Sequence, residues 1–195
     1  MDVDTREVAR RLSEAMKSSG LSLRGFAAAL GTSHSRLSSY LKGTASPSAA
    51  LFVRACRIGA ALGEARDQGW LTPDLAQRAL KDAVDEGDEA WAFKIAVQAR
   101  DQVRELLATP GAPADAWEAR PSARTTDRWD ALLGAFVAHE FMAADRTAPA
   151  WTDLRADEEW IKPNLLLDDA EIRDATPGWL SVRGIYVAER DLATA

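Results

Sequence analysis

Apolar residues recur along this chain mostly at helical spacing, and glycines and prolines cut the pattern into short segments. Val8, Leu12, Ala15 and Met16 form a first stripe over residues 4–19, with Asp4 or Thr5 placed to cap it and Gly20 ending it. From Leu21 to Pro47 the pattern predicts two short helices joined by a tight turn. Ser22 is a good N-cap, and Leu23, Phe26, Ala27 and Leu30 then share one face. Gly31 supplies the positive φ at which that helix ends. Ser33 caps a second helix running through Leu41, with Leu37, Tyr40 and Leu41 as packing positions, and Gly43 stops it. A fourth helix spans about Ser48 to Leu62, with Leu51, Phe52, Ala55, Ile58 and Leu62 on one face.

Thr72 before Pro73 marks the start of a helix over 73–86. The Gly87-Asp88 break separates it from a longer helix, about 88–108. That helix carries Trp91, Ile95, Val97, Ala99, Val103, Leu106 and Leu107. Its apolar positions cover more than one face, so it is either sandwiched in a core or a dimer contact. Residues 109–126 contain three prolines and little periodicity and read as a linker, in which Trp117 is a candidate to dock on a neighbour. From Asp127, Trp129, Leu132, Leu133, Phe136, Val137 and Phe141 describe an amphipathic helix. Beyond Asp145 come short apolar pieces between acids, a helix near Ala170–Asp174, and two candidate strands, Leu165–Leu167 and Ile185–Val187, too short for a sheet of any size. The expected fold is mainly α. A four- or five-helix N-terminal domain (1–66) is followed by a helical dimerisation or core region (67–108), the linker (109–126) and a small irregular α region with short β pieces (127–195).

Charge changes this picture. The net charge is −6, which taken whole argues against a nucleic-acid partner. Residues 1–66, however, hold ten Lys/Arg and five Asp/Glu, a balance of +5 that leaves −11 for the remainder. A basic third joined to an acidic two-thirds suits nucleic acid at one end and a basic partner at the other. All seven tryptophans lie beyond residue 69. Large aromatics among acids describe either a partner-binding surface or the core of a small irregular domain.

The helix after Ser33 has a polar face made of His34, Ser35, Arg36, Ser38, Ser39 and Lys42. Serines are weak formers of helix interiors because their hydroxyls compete for the backbone, so stability alone does not explain three of them. They suit a surface that lies flat in a groove and offers small hydrogen-bonding groups, which is the logic of a DNA recognition helix. Ser22, Leu30, Gly31, Ser33, Leu37, Gly43 and Pro47 together resemble the lambda-repressor/Xre-type helix-turn-helix family. That family often has Gln at the second position of the first helix, where this chain has Leu23. The resemblance implies that His34, Ser35 and Ser39 face bases and that Arg36 and Lys42 lie nearer phosphates. Ser22, Arg24, Ser33 and Ser38 complete the implied DNA-binding set.

Over the last third, Trp129, Pro149, Trp151, Trp160, Thr176, Pro177, Arg183, Gly184, Ile185, Asp191 and Leu192 are similar in arrangement to actinobacterial-type antitoxins. In those proteins an Xre-like domain precedes a toxin-neutralising region. The resemblance implies a type II toxin–antitoxin pair, with an antitoxin that covers its toxin and represses the shared operon. Trp151, Glu158, Glu159, Trp160, Trp179, Arg183 and Ile185 would be the partner-binding residues. The implied partners are double-stranded operator DNA, a cognate basic toxin and a second copy of the chain. A homodimer would meet a palindrome with half-sites one turn, ~34 Å, apart. The alternative is a stand-alone Xre-family repressor whose C-terminal region dimerises or senses a ligand.

Candidate chemistry is sparse. Cys56 is the one cysteine and reads as a small core residue. The two histidines, His34 and His139, lie far apart in sequence, so no metal-ligand spacing is present. No Gly-rich phosphate loop and no nucleophile motif occur, which points away from an enzyme and from any cofactor. The N-terminus lacks the apolar core of a signal peptide, and no apolar run reaches spanning length, so the expected location is the cytoplasm, with no membrane contact.

Overall fold

The computed structural model describes residues 2–193, which fold mainly as α-helix in two compact units. The first unit comprises residues 1–75 with 111–122; the second comprises 76–110 with 123–195.

In the first unit, helix α1 (Val3–Ser19) starts two residues before Thr5, because Asp2 is the cap: its carboxylate accepts from the Thr5 N–H at 2.8 Å. Gly20, at φ 70°, ends it. Helices α2 (Leu23–Ala29) and α3 (His34–Leu41) follow, capped by Ser22 and Ser33. Helix α4 (Ala49–Gln68) is capped by Ser48 and runs six residues beyond Leu62, to the left-handed Gly69. Gly59 and Gly63 do not break it, because they are where α1 crosses. A Cβ on Gly59 would sit 2.5 Å from the Ala15 carbonyl oxygen, and one on Gly63 2.6 Å from that of Ser18. Leu12, Phe26, Leu37 and Ile58 from the four helices meet in a core from which water is excluded.

Residues 109–126 are more than a linker. They hold a 3-10 turn, Ala114–Glu118, whose Ala116, with Ala119 just beyond it, packs into the same core. Arg57 on α4 grips the turn through both carboxylate oxygens of Glu118, at 2.5 and 2.6 Å, and through Asp115 at 2.9 Å. The Arg120 N–H donates to the Ala29 carbonyl at 2.9 Å, at the end of α2. Trp117 is fully buried. A one-turn element among prolines has no period for a sequence pattern to display.

The second unit contains the rest of helix α5 (Pro73–Asp85), then α6 (Glu89–Ala108) and α7 (Asp127–Ala143). Asp88 caps α6 by accepting from the Trp91 N–H at 2.8 Å. Helices α6 and α7 pack together, and Ile95, Ala99, Val103 and Leu106 of α6 are buried there, as in a core helix. Helix α7 is buried nearly all round rather than on one stripe. Its inward carboxylates are satisfied. Asp130 accepts from Arg124 at 2.9 Å, from the Thr125 N–H at 2.9 Å and from Gln77; Glu140 takes a bidentate grip from Arg104 at 2.9 and 2.8 Å.

The C-terminal part adds short helices α8 (Asp169–Asp174) and α9 (Gly178–Ser181) and a two-stranded parallel sheet. Strand β1 (Trp160–Ile161) pairs with β2 (Ile185–Tyr186) in the register Trp160 to Ile185. The expected strand at Leu165–Leu167 is instead a loop, because the strand that faces β2 lies five residues earlier and Leu165 is fully solvent-exposed. No helix among the described residues is long and apolar enough to cross a membrane.

Two substitutions test these contacts by denaturant unfolding of the full chain. Gly59→Ala forces backbone apart and is expected to lower stability by roughly 1–3 kcal/mol. Trp117→Ala is expected to cost about 3–5 kcal/mol, a loss that a free linker would not show.

Candidate nucleic-acid interface

The geometry of the interface starts from Leu37. This one fully buried residue of α3 pins the helix to the unit, with Tyr40 and Leu41 half-buried beside it. At about 100° per residue, Ser35, Ser39 and Lys42 then fall together on the face opposite Leu37, Ser38 and Arg36 lie on its two flanks, and His34, in the first turn, lies nearer the packed side. His34, Ser35, Arg36 and Lys42 are exposed, whereas Ser38 and Ser39 are half-buried.

The serines are not equivalent. Ser33 Oγ accepts from the Arg36 N–H at 3.2 Å and lies 3.1 Å from Ser35 Oγ, so these two hydroxyls steady each other at the start of the helix. Ser39 Oγ donates to the Ser35 carbonyl at 3.0 Å, which fixes its hydrogen inward and turns its lone pairs outward. Such a hydroxyl accepts, and the major-groove donors available to it are the amino groups of adenine and cytosine. Ser22 is occupied as the α2 cap, accepting from the Gly25 N–H at 3.1 Å, and stands exposed next to Arg24.

The basic residues of the first unit are not equivalent. Arg10 and Arg11 pair with Glu7, and Arg10 also with Glu14. These two guanidinium groups pull the Glu7 carboxyl down to about 2. Arg57 is held by Glu118, Arg66 by Asp67, and Arg54 donates to the Leu30 carbonyl at 2.8 Å. Arg24, Arg36 and Lys42 have no ion pair among the described residues. Lys17 and Arg120 of the same unit have none either, and Arg24, Arg36 and Lys42 are the three that lie on or directly after the two helices of the motif. The overall count of bases in the sequence did not separate these two groups.

The residues expected to bind a partner are distributed differently. Trp160 is nearly buried and tilted against Trp129, with ring centroids 5.0 Å apart, and Ile185 is fully buried. Arg183 donates to the Thr152 and Leu154 carbonyls at 2.5 and 2.9 Å, and burial lowers its pKa. These three side chains hold the second unit together. Trp151 is half-buried, as is Trp179, which stacks on His139 at 4.2 Å. Glu158 and Glu159 are exposed; Glu159 accepts from Arg173 at 2.7 Å and from the Tyr186 hydroxyl at 3.0 Å, and Arg173 leads in lowering its pKa. A cleft of about 260 Å³ opens beside the Trp179–His139 stack, with Arg100, Arg104 and Glu189 among its walls.

Residues 7–69 match the family model described as a helix-turn-helix domain. No curated protein and no solved structure matches the chain. The N-terminal part is thus a helix-turn-helix domain of the DNA-binding kind, and the chain carrying it is a DNA-binding regulator.

Arg36→Ala and Lys42→Ala are each expected to weaken binding to duplex DNA and to reduce the slope of log K against log salt by about one. The same change at Lys94, on the second unit, is expected to leave the slope unchanged. Titrations of one duplex at several salt concentrations check this, and equal slopes for all three variants would remove the assigned phosphate contacts.

Proposed function

We propose that this protein is the antitoxin of a type II toxin–antitoxin pair, which binds operator DNA through its first unit and neutralises a toxin through its second. The observation that carries the reading is the separation of charge. Arg24, Arg36 and Lys42, which have no ion pair among the described residues, sit on and beside the recognition helix, and the acidic excess lies in the rest of the chain. Acidic surface attached to a DNA-binding module is of no use to phosphate contacts, but it speeds capture of a basic protein. His34, Ser35 and Ser39 read bases, Arg24, Arg36 and Lys42 contact phosphates, and two copies place two recognition helices on a palindrome. The protein acts in the cytoplasm as a dimer and performs no catalysis.

A second reading, a stand-alone repressor that senses a ligand, is favoured by one observation. The cleft beside Trp179 and His139 is concave and lined by charged and aromatic side chains, as small-molecule sites are.

Co-expression of the tagged protein with its two flanking genes separates the readings. The expected result is a stoichiometric complex with a basic neighbour whose expression alone stops growth. Arg36→Ala with Ser39→Ala is expected to abolish promoter binding while leaving that complex intact. A protein that purifies alone as a dimer and still shifts its own promoter DNA would give the case to the ligand-sensing repressor.

A further inference from the structure

Leu165 and Leu166 form the most conspicuous apolar feature on the described surface. Their relative exposures are 103% and 79%, at the tip of the loop between β1 and α8. Exposed leucines on a slack loop would mean little. This loop is held at its base. The Asn164 side-chain amide donates to both carboxylate oxygens of Asp191, at 3.1 and 2.8 Å. The Asn164 carbonyl oxygen accepts from the Leu166 N–H at 2.8 Å and from Arg190 at 3.0 Å. Lys162, two residues before Asn164, reaches Asp191 at 3.5 Å and lies 4.5 Å from the centroid of the Phe93 ring. Asn164 thus closes a side-chain turn that points the two leucines outward, while Asp191 and Arg190 fix its base.

The other side of the tip is acidic. Asp168 and Glu171 close a capping box, each accepting from the other's backbone N–H at 2.9 Å, and with Asp169 and Asp174 they put four carboxylates in the seven residues after Leu167. Arg173, the single base there, is engaged by Glu159. Ile172, nearly fully buried, anchors α8 beneath them.

We propose that Leu165 and Leu166, with the carboxylates of α8, are the docking point for the protein partner, and that the partner's site is an apolar pocket rimmed by Lys and Arg. The two leucines fill the pocket, and the acids set the approach and the orientation. Because the loop is held before binding, little order has to be imposed on it. The same negative rim discourages a second copy of this loop from packing against the first. This deepens the antitoxin reading, on which it rests for the identity of the partner. It also moves the centre of the interface from Trp160, Arg183 and Ile185, which are used inside the unit, to two leucines whose side chains face solvent.

The test uses the full chain and the neighbour protein that co-purifies with it. Leu165→Ser with Leu166→Ser is expected to speed dissociation roughly a hundredfold, and Asp169→Lys about tenfold, with the helical spectrum and the shift of promoter DNA unchanged. Unchanged dissociation in these variants overturns the docking point while leaving the antitoxin reading in place. If no neighbour is retained by the unaltered protein, the antitoxin reading fails, and a photo-crosslinker at position 165 in growing cells decides the surface. An adduct with one basic protein, identified by mass spectrometry and lost in Asp169→Lys, keeps the docking point. An adduct with a second copy of this chain, or no adduct, overturns it.

Discussion

Helix α1 can lie across α4 only because α4 presents two glycines where they meet. At both crossings a single methyl group would collide with a carbonyl oxygen of α1, and a carbonyl, unlike a side-chain tip, cannot swing aside. The DNA-reading helix depends on this contact. An eight-residue helix with four serine or histidine positions does not persist in water by itself. It persists here because Leu37 enters a core whose other walls, Leu12 and Ile58, belong to the two helices that the glycines bring together. The same packing holds the exposed face of α3 rigid, so that hydroxyls of short reach stay at a fixed depth.

The second unit is built on a different constraint. Helix α7 is covered on almost every side, so the polar residues its sequence carries have to be satisfied in place. Asp130 and Glu140 are each gripped by an arginine, and Arg183 closes the carbonyls of the segment that turns past Gly134. Charged groups used in this way specify a packing but are lost to the surface. The surface that remains for partners is what this network does not use.

Much of this could be read from residue order. Ser22, Ser33 and Ser48 cap the helices they precede, Pro73 opens one and the Gly87-Asp88 pair divides two, because capping and chain-breaking are local chemistry. The polar face of α3 was legible for the same reason. What was not legible depends on distant partners. The helical period past Leu62 gave no sign that Gly63 was a contact rather than an end. Residues 111–122 have no period at all, and only the presence of Trp117 signalled that they fold. Trp160, Arg183 and Ile185 looked like surface chemistry because aromatic and cationic side chains serve a small core as readily as an interface. Leu165–Leu167 looked like a strand, and only the position of β1 and the turn at Asn164 show that Leu165 and Leu166 face solvent.

The first unit is interrupted in sequence: 35 residues, 76–110, separate its main body from the segment that completes it. Synthesis proceeds from the N-terminus, and domains generally fold as units while the chain emerges. The DNA-binding unit of this regulator therefore lacks Ala116, Ala119 and the carboxylates that receive Arg57 until all of α6 has already been made. A message truncated near codon 75 would encode every residue of the helix-turn-helix and still leave part of its core open to solvent. DNA binding is in this way tied to translation having passed the whole of α6.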